Sequence, residues 1–262
     1  MADKLAAITG ASSGIGYNLA KVFAENGFDL IIVSAGDRLD DAEANLRSLG
    51  SNVTAVHADL ATYEGCEQFW QAVQATGRKL DAIALNAGVG VGGLFADTDL
   101  DKEINLIRLN VEGTVHVAKH AVRKMIGQRE GRILIVSSIA GEMVAPKEAV
   151  YAASKAFDLS LAKSLRYELK DTGVTVTVLQ PGPTDTDFFN RAGVGDTKAG
   201  TEGKKESDPY DVAKQAFKAL MDGDEQLYSA SLKTKIQGSV LGAVPEGVMA
   251  KMHEKQLEPA DK

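Results

Sequence analysis

Tyr151 and Lys155 are the two residues whose types and spacing indicate chemistry most directly. They are four residues apart in a segment with helical apolar spacing, so both side chains share one face, about 6 Å apart along the axis. A free tyrosine titrates at about pH 10, and a neighbouring ammonium stabilises the phenolate and lowers that pKa. The pair is therefore predicted to exchange a proton with a substrate near neutral pH.

Ser138 is a third candidate for this chemistry. It follows a predicted strand and precedes Tyr151 by 13 residues. Its hydroxyl could donate a hydrogen bond to a substrate oxygen on which charge develops. The neighbouring Ser137 is interpreted as structural.

A glycine-rich turn from Thr9 to Gly16 joins the first predicted strand to the first predicted helix. Its glycines would permit a tight turn, close approach of a pyrophosphate, and close packing of the helix. The helix N-terminus would offer free N–H groups to phosphates. A plain strand-to-helix turn is the alternative, and the strand–helix–strand context disfavours it. The predicted contacts to a dinucleotide here are Gly10, Ser12, Ser13, Gly14, Ile15 and Gly16.

Short apolar runs alternate with longer amphipathic stretches along the chain. Strands are predicted at 5–9, 30–33, 53–57, 82–85, 132–136 and 174–179, and helices near 15–26, 39–49, 64–76, 101–126, 150–171 and 209–221. Nearly continuous apolar strands indicate a parallel sheet covered on both faces. The predicted fold class is α/β, a single-domain Rossmann fold whose doubly wound parallel sheet has about seven strands with helices on both faces.

The chain is expected to hold one domain in two parts. Residues 1–230 are assigned to the NAD(P)-binding Rossmann domain that carries the catalytic site, and 231–262 to a C-terminal helical extension of it. Residues 190–208 are rich in Gly, Lys, Thr and Glu. They are predicted to form a loop, and long ordered loops often act as lids.

These motifs together resemble the short-chain dehydrogenase/reductase family, and within it the branch of DltE-type oxidoreductases. The resemblance covers residues 4 to about 230. It implies that Asn110 is a catalytic residue that holds a water linking Lys155 to solvent. One departure is Leu85, where the family usually has a second Asn. The resemblance also implies cofactor contacts by Asp59, Leu60, Asn86, Ala87, Gly88, Tyr151, Lys155, Pro181, Gly182, Thr184 and Thr186.

The end of the second predicted strand should decide between NAD and NADP. An acid there would bind the ribose hydroxyl and repel a 2′-phosphate, whereas an Arg would favour the phosphate. Ser34 and Ala35 carry no charge, although members of the resembled branch often have Arg at the position of Ala35. Asp37 could bind ribose or simply cap the next helix, and Arg38 could reach a phosphate. The interpretation leans to NADP.

The predicted activity is hydride transfer between nicotinamide and a carbonyl or alcohol of a small molecule, with Tyr151 as general acid/base. An epimerase or dehydratase on the same fold is one alternative. A catalytically silent dinucleotide-sensing protein is another, and the intact Ser/Tyr/Lys set disfavours it. The substrate pocket is expected to be partly apolar and to include Gly92, Gly93, Leu94, Phe95, Glu142, Met143, Val144, Phe188 and Phe189.

Composition and charge bound the remaining function classes. The net charge of −7 makes nucleic acid an unlikely partner. Cys66 is the single cysteine, no cysteine spacing suits a metal, and no metal site is expected. No apolar run reaches the length of a membrane span, so a cytoplasmic protein is expected. The histidines match no motif and are interpreted as structural or exposed: His57, His116, His120 and His253.

Assembly into a homodimer or homotetramer is expected through the helices at 101–126 and 150–171, as the family resemblance implies. Small or apolar residues occur off the stripe that each helix should present to the sheet. They are Ala118, Ala121, Ala153, Ala156 and Leu159. Coverage of these residues by the C-terminal tail of a monomer is the alternative.

Overall fold

A seven-stranded, all-parallel sheet organises the protein. The computed structural model describes residues 3–201, 207–229 and 244–260. The strand order is β3-β2-β1-β4-β5-β6-β7, with every pairing parallel. The order reverses between β1 and β4, where ligands bind in open α/β sheets. The predicted fold class is confirmed.

The six strands predicted from the sequence are present, with ends that differ by up to two residues. The seventh strand lies at the edge of the sheet. Its residues are a mixture of polar and apolar types, so it lacks the continuous apolar run from which the other strands were predicted. The strands are β1 Lys4–Thr9, β2 Phe28–Ser34, β3 Val53–His57, β4 Ala82–Leu85, β5 Gly131–Val136, β6 Val174–Pro181 and β7 Gln226–Ser229.

Helices cover both faces of this sheet. Each face has its own apolar core: Phe23, Ile32 and Leu220 belong to one, and Phe69, Ile83 and Val178 to the other. The helices of the described residues are α1 Gly14–Glu25, α2 Leu39–Arg47, α3 Tyr63–Ala75, α4 Leu100–Ile107, α5 Thr114–Gln128, α6 Ala149–Leu169, α7 Phe188–Arg191, α8 Lys198–Thr201, α9 Pro209–Asp222 and α10 Glu246–Gln256.

The structure differs from expectation at two places, and the expected C-terminal extension is described only in part. The predicted helix 101–126 is interrupted by a π-helical turn, Arg108–Gly113. The predicted loop 190–208 contains α8 and the end of α7, while 202–206 lie outside the described residues. Of the expected C-terminal extension, α10 is described and 231–243 lie outside the described residues.

The apolar residues that the sequence analysis placed off the sheet-facing stripe divide into two groups. Ala118, Ala121 and Leu159 are buried in the core, so they do not form a free surface. Ala153 and Ala156 are exposed on α6.

Among the helices of the described residues, none combines the length and apolar character that crossing a bilayer requires.

Candidate active site

The glycine-rich turn lies where β1 ends and α1 begins. Gly10 has a φ of +68°, a conformation that favours glycine. A Cβ at Gly16 would lie 2.2 Å from the carbonyl oxygen of Gly10, so only glycine lets α1 pack this closely against the turn. The backbone is therefore shaped into a cradle that side chains would fill.

The N-terminus of α1 is suited to an anion. Its N-cap residue, Ser13, makes no side-chain capping hydrogen bond, and the first turn carries no acidic residue. The first N–H groups of a helix have no partner within the helix and favour negative charge nearby. The chemistry of this turn therefore fits the phosphates of a dinucleotide.

Thr9 and Asn86 tie the ends of β1 and β4 together beside this cradle. The Thr9 hydroxyl accepts hydrogen bonds from the backbone N–H groups of Asn86 and Ala87, at 2.8 and 2.9 Å. The Asn86 amide donates to the Thr9 carbonyl at 3.0 Å. Asn86 thus links the ends of β1 and β4.

A cavity of about 330 Å³ extends from this cradle along the carboxyl edge of the sheet. Most residues predicted from the sequence line it, which brings the glycine-rich turn and the Ser/Tyr/Lys set into one site. The predicted residues in its lining are Gly10, Ser12, Ser13, Gly14, Ile15, Gly16, Ser34, Ala35, Asp59, Leu60, Asn86, Ala87, Gly88, Ser138, Tyr151, Lys155, Pro181, Gly182, Thr184 and Thr186.

Asp37 and Arg38 lie outside this lining. Arg38 forms an exposed ion pair with Asp187 at 3.2 Å, so its guanidinium already has a carboxylate partner. The hydroxyls of Ser12 and Ser34 lie 2.9 Å apart at the end of β2, where the sequence analysis expected the ribose. The wall at this end is neutral and rich in hydroxyl groups.

Tyr151 and Ser138 both line the cavity, and both are buried. Burial raises the pKa of the Tyr151 hydroxyl above its usual value, and the Glu148 carboxylate raises it further. A hydrogen bond with Ser138 acts in the opposite direction. In this structure the pKa of Tyr151 is thus raised, whereas the sequence analysis expected a neighbouring ammonium to lower it.

Burial is the main cause of this difference, and the environment of Lys155 adds to it. Its Nζ donates hydrogen bonds to the carbonyl oxygen of Val136 and to Oδ2 of Asp158, both at 2.9 Å. Asp158 is buried, and its pKa is raised by burial and pulled back by Lys155. The Asp158 carboxylate also raises the pKa of Tyr151. The ammonium is therefore balanced by a buried counterion that the sequence analysis did not single out.

Asn110 lies in the π-helical turn and is fully buried. Its Oδ1 accepts from the N–H of Val89, and its Nδ2 donates to the Val89 carbonyl and to the Ser154 hydroxyl, each at 3.0 Å. The side chain thus joins the loop after β4 to α6, the helix that carries Tyr151 and Lys155. Such π turns are frequent at functional sites. Asn110 itself is not part of the cavity lining.

Ser137 is structural, as expected, because its hydroxyl donates to the Lys155 carbonyl at 2.6 Å. Of the nine residues expected in the substrate pocket, Met143, Phe188 and Phe189 line the cavity. The other six do not. Leu94 and Phe95 are exposed, and Glu142 turns away to accept a hydrogen bond from Tyr228.

Sequence reasoning missed the part of the wall that α10 and the start of α6 supply. Glu148, His253, Gln256 and Leu257 line the cavity. His253 is buried there. Glu148 is three residues before Tyr151, a spacing visible in the sequence. No sequence motif links it to His253, which is more than a hundred residues away.

Comparison with known proteins agrees with this geometry. A profile of the family described as short chain dehydrogenase matches residues 4–195. Oxidoreductase UcpA of Salmonella typhimurium is 32% identical over 260 residues, covering 95% of this chain and 97% of its own.

Two solved structures share the fold along the whole chain. A short-chain dehydrogenase from Sphingobium yanoikuyae, in complex with NADPH, is 26% identical with a TM-score of 0.80 and covers 98% of this chain and 99% of its own. A short chain dehydrogenase/reductase from Burkholderia phymatum, in complex with NAD, is 24% identical with a TM-score of 0.81 and covers 100% and 98%. With a glycine cradle, a continuous cavity and a buried Ser/Tyr/Lys set at the sheet's carboxyl edge, this chain belongs to the short-chain dehydrogenase family and is an NAD(P)-dependent oxidoreductase.

Proposed function

We propose that the protein interconverts a carbonyl and an alcohol on a small molecule, with Tyr151 as the group that exchanges the proton. The observation that carries this proposal is the single cavity shared by the glycine cradle and by Ser138, Tyr151 and Lys155. A bound nicotinamide dinucleotide would supply or accept the hydride. The chain's own residues would position the substrate oxygen and move the proton.

Each member of the catalytic group has a separate task. In reduction, the Tyr151 hydroxyl donates a proton to the substrate oxygen, and in oxidation the phenolate takes it back. Ser138 donates a hydrogen bond to the same oxygen as charge develops on it. The Lys155 ammonium offsets the negative charge of the phenolate. Phe188, whose ring centre is 5.1 Å from that of Tyr151, packs beside the reacting group.

We infer a modest preference for NADP. The hydroxyls of Ser12 and Ser34 offer hydrogen bonds at the end of β2, and no acid lines the cavity at that strand end to repel a 2′-phosphate. The Arg191 guanidinium also lines the cavity, 3.5 Å from the Ser13 hydroxyl, and adds positive charge near the cradle. The residues that line the cavity at the end of β2 carry no charge, so the expected difference in affinity is small.

A screen of ketones, aldehydes and alcohols with both cofactors tests the reaction. Nicotinamide absorbance reports the net redox change that distinguishes a dehydrogenase from an epimerase or a dehydratase. On a substrate found in this way, Tyr151→Phe should fold, bind the dinucleotide and lose roughly 10²–10⁴-fold in kcat. The change keeps the ring and its packing and removes only the proton donor.

Tyr167→Phe is the matched control because it makes the same change at an exposed position on the same helix. It should keep the unaltered rate. Retention of most activity by Tyr151→Phe would exclude the proposed role of this hydroxyl.

A further inference from the structure

The C-terminal helix α10 closes one side of the cavity. Met249 packs with Ile139 and Met143 near the catalytic strand end. Beyond the helix, Leu257 packs against residues of the α7–α8 region. Lys198 binds this segment twice, through its N–H to the Glu258 carbonyl at 3.0 Å and through Nζ to the Glu258 carboxylate at 2.9 Å. The tail is therefore an integral part of the cavity wall.

Glu148 and His253 meet where this helix faces the start of α6. His253 Nε2 lies 3.1 Å from Glu148 Oε2, and each side chain is only 6% exposed. The ring nitrogen is within ion-pair distance but is not aligned for a hydrogen bond. Among the described residues, neither His253 Nε2 nor Glu148 Oε1 has a hydrogen-bond partner.

Two buried polar atoms that lack a hydrogen bond are costly unless a bound molecule supplies one. A carboxylate oxygen only accepts hydrogen bonds, whereas an imidazole N–H donates one. A hydroxyl group can satisfy both, since it donates to Glu148 and accepts from His253. An ammonium lacks an acceptor for the imidazole, and a carboxylate would be repelled by Glu148.

The pair lies close to the proposed reacting group. Glu148 precedes Tyr151 by three residues at the start of α6, which is about 4.5 Å of helical rise. The effect of the Glu148 carboxylate on the Tyr151 hydroxyl agrees with this proximity. The surrounding wall is largely apolar and includes Val89, Met143 and Leu257.

We propose that Glu148 and His253 form a subsite for a hydroxyl group of the substrate, which is a largely apolar ketone or secondary alcohol. Glu148 and Tyr151, which would bind the two substrate oxygens, are about 4.5 Å apart along the helix axis. The proposal rests on the proposed function, because that function defines where the reacting oxygen sits. It narrows the substrates to apolar molecules with a second, hydrogen-bonding oxygen.

Binding measurements can test the subsite separately from turnover. The first probe is 4-hydroxy-4-methylcyclohexanone, whose hydroxyl lies across the ring from the carbonyl and is tertiary, so it cannot lose a hydride. The parent, 4-methylcyclohexanone, lacks this hydroxyl, and the methyl ether of the first probe can accept but not donate. Ligand-observed NMR titrations with NADP⁺ present would give the three dissociation constants.

The hydroxylated probe should bind roughly ten- to hundredfold more tightly than the parent, the range expected for a hydrogen bond to a charged group. The methyl ether should lose most of this gain because it cannot donate to Glu148. The double variant Glu148→Met/His253→Phe should bind all three probes equally. Replacing both members of a buried pair by apolar groups avoids an uncompensated buried charge and favours folding.

Glu168→Met/His57→Phe is the matched control, with the same changes at exposed positions. It should keep the wild-type selectivity. Should the double variant not fold, His253→Phe alone carries the test. Equal binding of the hydroxylated and parent probes by the wild type, including no binding of either, would overturn the subsite. Selective binding without turnover of any ketone by NADPH would instead contradict the proposed function and leave the subsite in place.

Discussion

Asp158→Asn should shift the pH dependence of alcohol oxidation towards lower pH. Asp158 is buried and holds the Lys155 ammonium at 2.9 Å. Its negative charge raises the pKa of Tyr151. Asparagine has the same shape and can still accept the Lys155 hydrogen bond, but it carries no charge. The substitution should therefore stabilise the phenolate and lower the pKa of Tyr151.

The expected size follows from the helix. Tyr151 and Asp158 are seven residues apart on α6, which places them about 10.5 Å apart along the axis. At that distance and an effective dielectric constant of about 20, two unit charges interact by about 1.6 kcal/mol, or roughly one pKa unit. In the proposed mechanism the phenolate is the active form in oxidation, so the rising limb of the profile should move to lower pH by about that amount.

The assay is kcat/KM for a secondary alcohol with NADP⁺, measured from neutral to strongly alkaline pH. This parameter reports the ionisations of the enzyme before the alcohol binds. Asp171→Asn removes the same charge from an exposed position just beyond α6 and should leave the profile in place. An unmoved limb, or one displaced to higher pH, would show that Asp158 does not oppose ionisation of Tyr151.

Three further changes probe the remaining features of the site. Lys155→Met should move the same limb to higher pH and weaken cofactor binding. Because it leaves Asp158 charged without its partner, it should also lower the free energy of unfolding by roughly 3–5 kcal/mol. Adding Asp158→Asn should restore much of that stability, as measured by urea titration. Ala35→Arg should shift measured binding towards NADP over NAD, and an unchanged ratio would mean that the adenosine ribose lies elsewhere. Light scattering after size exclusion should give a mass two or four times the chain mass of 27.7 kDa. Ala156→Glu, on the exposed side of α6, should reduce the measured mass. A mass equal to that of one chain, found for the unaltered protein over a wide concentration range, would contradict the expected oligomer.

The parts of the site that lie at strand ends could be predicted from the sequence. Gly10 and Ser138 each follow an apolar strand, and parallel strands bring their carboxyl ends to one edge of the sheet. Tyr151 and Lys155 are four residues apart on one helix, so local geometry alone brings them together. Asp158 is three residues after Lys155, so spacing also places these two side chains near each other. The effect of Asp158 on the Tyr151 pKa depends on burial, which spacing does not reveal.

The part of the cavity wall formed by α10 could not be predicted in the same way. His253 reaches the cavity through a tertiary contact between α10 and the start of α6. No repeating pattern in the sequence signals such a contact. Leu94 and Phe95 are expected to line the pocket because they are apolar, yet both side chains are exposed. Apolar character in a loop does not specify which surface the loop will face.

The residues that line the cavity come from two stretches of the chain. The segment that matches the family, 4–195, carries the cradle and the proposed catalytic group, whereas α10 brings His253 and Gln256 to the cavity wall from outside that segment. If the proposed function holds, changes in α10 would alter which molecules are accepted while the residues proposed for proton transfer stay in place. Exchanging this helix with that of a relative is then a direct route to altered selectivity.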